Sequence, residues 1–212
     1  MTYGLKFSNV SDVVTLDSEF SRLVILYSAR YNAGAFFPAP ITSQEPPLIF
    51  VRPDNNSSFQ YVRLIGTPGN WTGFSNSNPA NAPGTYFLAA YESKETASYG
   101  LRLWDGASKL LFDNGTPCAQ FTLVATTWSL LSLTNPSPGI WIYVYSTPAS
   151  LSSGDYMLIN NIAMDLPGQS SWSKLSCSCD YTNNRILATL SNLGDFRTDA
   201  LFLPILFAKP IA

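Results

Sequence analysis

The chain has 212 residues, of which 46% are apolar, 14% aromatic and only 12% charged, and its formal net charge is −2. No basic run gives nucleic acid or an anionic lipid surface its electrostatic footprint, and no apolar run reaches the roughly 18 residues that cross a bilayer as a helix. The absence of histidine excludes histidine triads and histidine metal sites.

The stretch MTYGLKFSN has neither the basic start nor the apolar segment of a signal peptide, so synthesis in the cytoplasm is expected. In YGLKFSNVSDVVTLDSE (Tyr3 to Glu19), apolar and polar residues alternate on either side of a polar turn, which predicts a β-hairpin. Runs rich in β-branched and aromatic residues then predict strands over 22–31, 47–53, 59–66 and 85–92. Between them, RPDNNSSF (52–59) reads as an Asn-tipped turn and TGFSNSNPANAPGT (72–85) as a long surface loop. The adjoining GNWTGF carries Trp71 and Phe74. Ring faces pack on pyranose C–H groups while amides bind hydroxyls, so Asn55, Asn56, Trp71 and Phe74 are the candidate receptor or glycan contacts. The competing expectation packs Trp71 and Phe74 at a sheet edge or against a neighbouring subunit.

ESKETAS (92–98) is the most charged stretch and the expected boundary between a module over 1–95 and another over 96–212. Immediately after it comes YGLRLWDGASKLLFDNG (Tyr99 to Gly115). It aligns with the first hairpin without a gap over sixteen residues, at an offset of 96 positions. Tyr-Gly-Leu is identical, Lys6 faces Arg102, Leu16 faces Phe112, and Asp17 faces Asp113. Asp105-Gly106 predicts a tight turn with positive φ, whereas Asn9-Val10 predicts a longer or different turn. Strands follow over 119–133, 139–146, 155–164, 172–181, 184–192 and 200–208. The fold expected is all-β: two tandem β-sandwich-like modules from an internal duplication, separate, fused or strand-exchanged.

Three cysteines, Cys118, Cys177 and Cys179, are too few and too odd in number for a disulfide framework, and are expected as buried or half-buried thiols without metal. Most carboxylates lie beside turn signals, where Asp bends the backbone. The recurrent Asp17 and Asp113 therefore read as turn formers, and no enzyme activity or cofactor is expected. Sequons such as NWT are expected to be chance matches. At the C-terminus, ALFLPILFAKPIA is apolar on both faces of a strand, and Pro204 lacks an amide donor. Leu201, Phe202, Ile205 and Phe207 are therefore expected at a subunit interface.

The phrase YGLRLWDGASKLLFDNG resembles one found in small β-rich virion proteins of tailed bacteriophages, where a Tyr-Gly-Leu hairpin opens a β-domain. PPLIFVRP, GNWTGF and the second Tyr-Gly-Leu hairpin extend the resemblance over Tyr3 to Asn114. The first copy departs from the pattern, with Val-Ser-Asp where Gly is expected. The resemblance implies a non-enzymatic component of the tail tip, baseplate or fibre attachment. Its implied partners are other tail proteins and copies of itself, with no nucleic acid and no membrane insertion. A receptor- or carbohydrate-binding module bound to a host surface glycan, or a capsid decoration or head-fibre protein, is the alternative. The expected location is the virion tail, after synthesis in the bacterial cytoplasm.

Overall fold

The computed structural model describes residues 6–8, 14–17, 23–77, 82–149, 154–162, 165–166, 173–193 and 201–211. Every regular element among them is a strand. In the first half these are β1 (Lys6–Ser8), β2 (Val14–Asp17), β3 (Val24–Tyr31), β4 (Gly34–Ile41), β5 (Leu48–Pro53), β6 (Ser57–Phe59), β7 (Arg63–Thr67), β8 (Asn70–Ser75) and β9 (Gly84–Ala90). The second half adds β10 (Arg102–Trp104), β11 (Leu110–Asp113), β12 (Cys118–Ala125), β13 (Ser129–Ser137), β14 (Ile140–Pro148) and β15 (Tyr156–Leu158). It ends with β16 (Asp165–Leu166), β17 (Ser173–Asp180), β18 (Arg185–Leu193) and β19 (Ile205–Ile211).

Both predicted hairpins form, each as a two-stranded ribbon. In the first, Lys6 pairs with Asp17 and Phe7 with Leu16, and the register shifts between Phe7 and Ser8. In the second, Arg102 pairs with Asp113 and Leu103 with Phe112, and the register shifts between Leu103 and Trp104. Every paired position, and the irregularity, recurs 96 residues on. The turn after Trp104 is longer than the expected two-residue type. Asp105 Oδ1 accepts from the amides of Ala107 and Lys109 at 2.9 and 2.8 Å, and the positive φ falls on Ser108, at 64°. The Asp side chain satisfies the turn amides and so selects the wider loop.

The main body is a closed barrel in the order β12-β19-β15-β5-β9-β3. Half of it, β3-β9-β5, comes from residues before 95, and the other half, β12-β19-β15, from residues after it. The halves meet antiparallel at β5–β15 and, through Cys118 and Val24, at β12–β3. The barrel therefore spans the 95/96 boundary, and the halves are fused in one sheet instead of forming two sandwiches strung in tandem. The remaining strands form the sheet β4-β8-β7 and the sheet β13-β14-β18-β17-β16, with β6 pairing to β17.

Among the barrel strands, β5 and β9 read as nearly continuous apolar runs because both of their faces are covered. Along β5 and β9, alternate residues serve different cores. Phe50, Phe87 and Ala89 join Leu23, Ile25, Leu158 and Ala208 in one cluster, with Phe50 and Phe87 stacked at 4.7 Å. Ile49, Val51, Tyr86 and Leu88 face a larger cluster shared with Phe74, Tyr143, Cys177 and Ile186 of the flanking sheets. Cys177 and Cys179 are buried on one face of β17, while Cys118 is half-buried, and all three thiols are free.

The C-terminal strand corrects one expectation. β19 is paired on its edges by β12 and β15, and its side chains enter two core clusters of its own chain, Ile205 and Phe207 one and Leu206 and Ala208 the other. Ile205 and Phe207 are buried at 0% and 1% exposure, and Leu201 is half-buried against the core. Phe202 alone of the four projects outward, at 88% exposure. Pro204 precedes the strand, so its missing amide takes nothing from the ladder, and its carbonyl accepts from Asn161 Nδ2 at 2.9 Å.

Candidate functional site

The four residues proposed from sequence as glycan contacts do not form a site. Phe74 is 1% exposed in the core, edge-on to Tyr86 at 5.1 Å. The segment expected as a loop from residue 72 is strand through Ser75, and β8 is the central strand of its sheet. Trp71 is half-buried against the core, and its indole N–H donates to the Ser43 carbonyl at 3.1 Å. Asn56 accepts from the Tyr181 amide at 2.8 Å and so ties the β5–β6 turn to the β17–β18 turn. Asn55 is exposed at the same turn.

The Trp71 bond leads to a different place. Ser43 lies in the 42–46 segment after β4, which the Gly69 amide also holds, donating to the Ser43 carbonyl at 3.0 Å. This segment walls a cleft of about 630 Å³. Leu23, Leu48, Ala89 and Ala90 are apolar parts of its lining, which Tyr91, Glu92 and the hairpin's Lys109 share with Thr42, Gln44 and Glu45. Glu92 is half-buried and its Oε1 accepts from Thr42 Oγ1 at 3.3 Å. Its Oε2 is buried without a hydrogen-bond partner. Tyr91 is 59% exposed. Pattern reading missed this cleft because its walls come from four separated segments, one of them Lys109 of the second hairpin, which lies outside the barrel.

Beside the cleft, the second hairpin clasps the charged segment that precedes it. Asp113 is 2% exposed. It accepts from Arg102 Nε at 2.7 Å, Gly115 N at 2.8 Å, and Ala97 N and Thr96 Oγ1 at 3.1 Å each. Burial works against ionisation of this carboxyl, but the donors outweigh it and hold its pKa well below the usual carboxylate range. Thr116 Oγ1 donates to the Lys94 carbonyl at 2.8 Å, and Ser93 Oγ to the Leu111 carbonyl at 2.6 Å. The segment expected as the module boundary is thus fastened to the ribbon. Asp113 is a turn former, as its sequence setting implied, and also the hub of that fastening.

A third feature is a surface. No charged residue lies between Asp113 and Asp155. Within that span, among the described residues, β13 is the outer strand of its sheet and pairs with β14 alone, and β12 meets β3 only at Cys118. Phe121, Val124, Leu130 and Leu131 on these two strands are 47–53% exposed.

Among the described residues no group of three Cys, Asp or Glu side chains could hold a metal ion, and no helix is long and apolar enough to cross a membrane. The chain matches no protein-family model, no curated protein and no solved structure.

Proposed function

We propose that the chain is a non-enzymatic structural subunit of a bacteriophage tail, at the tail tip, baseplate or fibre attachment. In this reading it is made in the bacterial cytoplasm and assembles with copies of itself and with other tail proteins. The observation that carries the reading is the uncharged apolar rim on β12 and β13. Outer strands are normally guarded by charges, because unpaired backbone groups beside apolar side chains recruit further strands. Here Leu130 and Leu131 stand on such a strand without a charge nearby in sequence. Exposed apolar rims of this kind mark protein contacts, and assemblies that never dissociate bury them permanently.

The repeated construction supports the same reading. The orders β3-β9-β5 and β12-β19-β15 have the same sense in the chain, and so do β4-β8-β7 and β14-β18-β17. Together with the matching hairpin registers, this supports an internal duplication.

Two measurements test the proposal. Sedimentation should find the purified chain oligomeric, and Leu130→Lys or Leu131→Lys should shift it toward the monomer without loss of β-structure. Gold-labelled antibody against the chain should decorate the tails of particles that carry it. Label on heads, or a monomeric wild type, overturns the reading.

A further inference from the structure

We propose that Asn114 is a site of spontaneous covalent modification, converting to isoaspartate and aspartate in the folded chain, and that the change loosens the clasp around Asp113. This inference is independent of the tail reading.

Asn114-Gly115 is the one Asn-Gly pair in the chain, and the aligned positions of the first copy are Ser18 and Glu19. In such a pair the glycine nitrogen reaches the asparagine side-chain carbonyl, because no Cβ on the second residue obstructs the ring that forms. The Gly115 nitrogen bonds to Asn114 Cγ and gives up its proton, and the side-chain nitrogen leaves as ammonia. Water then opens the succinimide at either carbonyl. One opening gives aspartate. The other gives isoaspartate, whose main chain runs through Cβ and is one carbon longer. Overall an amide and water become a carboxylic acid and ammonia, and nothing is oxidised or reduced.

The geometry leaves the electrophile open and restrains the nucleophile. Both residues are exposed, in the turn that follows β11. The Asn114 side chain lies over Gly100, where a Cβ would come within 2.1 Å of its Oδ1. Among the described residues its amide has no hydrogen-bond partner, and only its backbone N–H is bonded, donating to the Leu101 carbonyl at 3.1 Å. The Gly115 N–H donates to Asp113 Oδ1 at 2.8 Å. That bond must open before the nitrogen can turn to Cγ, and an exposed turn opens locally without unfolding the core. The fold therefore slows the reaction at this pair and does not stop it.

The product disturbs what lies on either side. Asp113 and Thr116 are buried, and both fasten the segment before the ribbon: Asp113 accepts from Ala97 N and Thr96 Oγ1, and Thr116 Oγ1 donates to the Lys94 carbonyl. An added main-chain carbon between them changes their spacing. The new carboxylate also puts a second negative charge beside buried Asp113.

Peptide mapping by mass spectrometry tests the proposal on the full chain aged at neutral pH, with the chain unfolded in urea aged beside it. Residue 114 should convert in both samples, more slowly in the folded one, and an isoaspartyl methyltransferase should label the product. Asn114→Gln should lose the conversion at that position. Trypsin should cut after the exposed Lys94 several-fold faster in aged wild type than in fresh protein, while the aged Asn114→Gln chain should be cut at the fresh rate. The proposal is overturned if Asn114 stays an amide in the folded chain while the unfolded chain converts, or if the modified chain resists trypsin as well as the fresh one does.

Discussion

Arg102 donates through Nε to Asp113 Oδ2 at 2.7 Å, across the positions that pair at the open end of the second ribbon. Lys6 and Asp17 hold the same register in the first ribbon. The cation–carboxylate order recurs with the backbone pairing, so the unit that repeats is the whole ribbon and not a shared composition.

The first prediction concerns acid. Because Asp113 has a lower pKa folded than unfolded, it stabilises the chain above its unfolded value near about 4. That contribution fades as pH falls through the folded value. Asp113→Asn should therefore lower the urea midpoint at pH 7, and the gap from wild type should narrow progressively below about pH 4. A gap that is constant with pH would mean that the lost donors matter and the charge does not.

Two glycines of the second ribbon should behave oppositely. Gly100 has φ 126°, and a Cβ there would lie 2.1 Å from Asn114 Oδ1. Gly106 is in the turn, with nothing within 4 Å of a Cβ and no positive φ. Gly100→Ala should destabilise by about 1 kcal/mol or more, while Gly106→Ala should be neutral or slightly stabilising. Thermal unfolding of the two variants checks this. Equal effects would contradict the observed turn, in which Ser108 and not Gly106 carries the left-handed conformation.

What was legible in the sequence was alternation and repetition. The ribbons, β5, β9, β14 and β18 announce themselves by apolar runs between turn residues. β4 does not, because Pro38 and Pro40 interrupt it. It tolerates them as the outer strand of β4-β8-β7, which among the described residues pairs with a strand on one side only. The predicted strand over 59–66 divides into β6 and β7 at Tyr61, whose φ is 54°, and that over 119–133 divides between two sheets near Trp128. Neither division has a Gly or Pro to mark it. The C-terminal segment showed two apolar faces but not their cover. That cover is two core clusters whose other members lie on strands distant in sequence. The cleft was illegible for a related reason: Thr42 and Glu92 are joined only by tertiary closure.

The corrected C-terminus yields a contrast. Phe207 is in the core and Phe202 is in solvent. Phe207→Ala should cost about 3–5 kcal/mol. Phe202→Ala should change monomer stability by no more than about 0.5 kcal/mol, and urea titrations separate the two. If Phe202→Ala alters the sedimentation of the oligomer without altering the urea midpoint, Phe202 belongs to the assembly surface.

Thiol reactivity follows burial. Desolvation pushes Cys179 up to about 12, and Cys177 higher still, its neighbour's charge adding to the burial. Since the thiolate is the reactive form, an aromatic disulfide reagent at neutral pH should titrate Cys118 alone in the native chain. In denaturant it should titrate all three. More than one fast thiol in the native chain would mean that β17 opens readily.

The last prediction concerns two phenols. Tyr31 and Tyr86 are 3% and 1% exposed, edge-on to each other at 6.5 Å, and the hydroxyl oxygen of each is buried without a hydrogen-bond partner. Tyr181 is the counter-example, since its hydroxyl donates to the Pro53 carbonyl at 2.9 Å. Removing an unpaired buried hydroxyl takes away a desolvation cost and breaks no bond. Tyr31→Phe and Tyr86→Phe should therefore be neutral or stabilise by up to about 1 kcal/mol, whereas Tyr181→Phe should cost about 1 kcal/mol. Alkali sharpens the test. Burial raises Tyr86 to about 12, and Tyr31 further. A phenol whose folded pKa is raised stabilises fully below its unfolded value near about 10, and loses that contribution as pH rises toward the folded one. Above about pH 10 the wild type should weaken relative to both Phe variants, and the advantage of the variants should grow. Chemical denaturation at pH 7 and pH 11 measures both effects. A loss of stability in Tyr31→Phe or Tyr86→Phe at pH 7 would show that these hydroxyls are bonded in solution, and the unpaired assignment would be wrong.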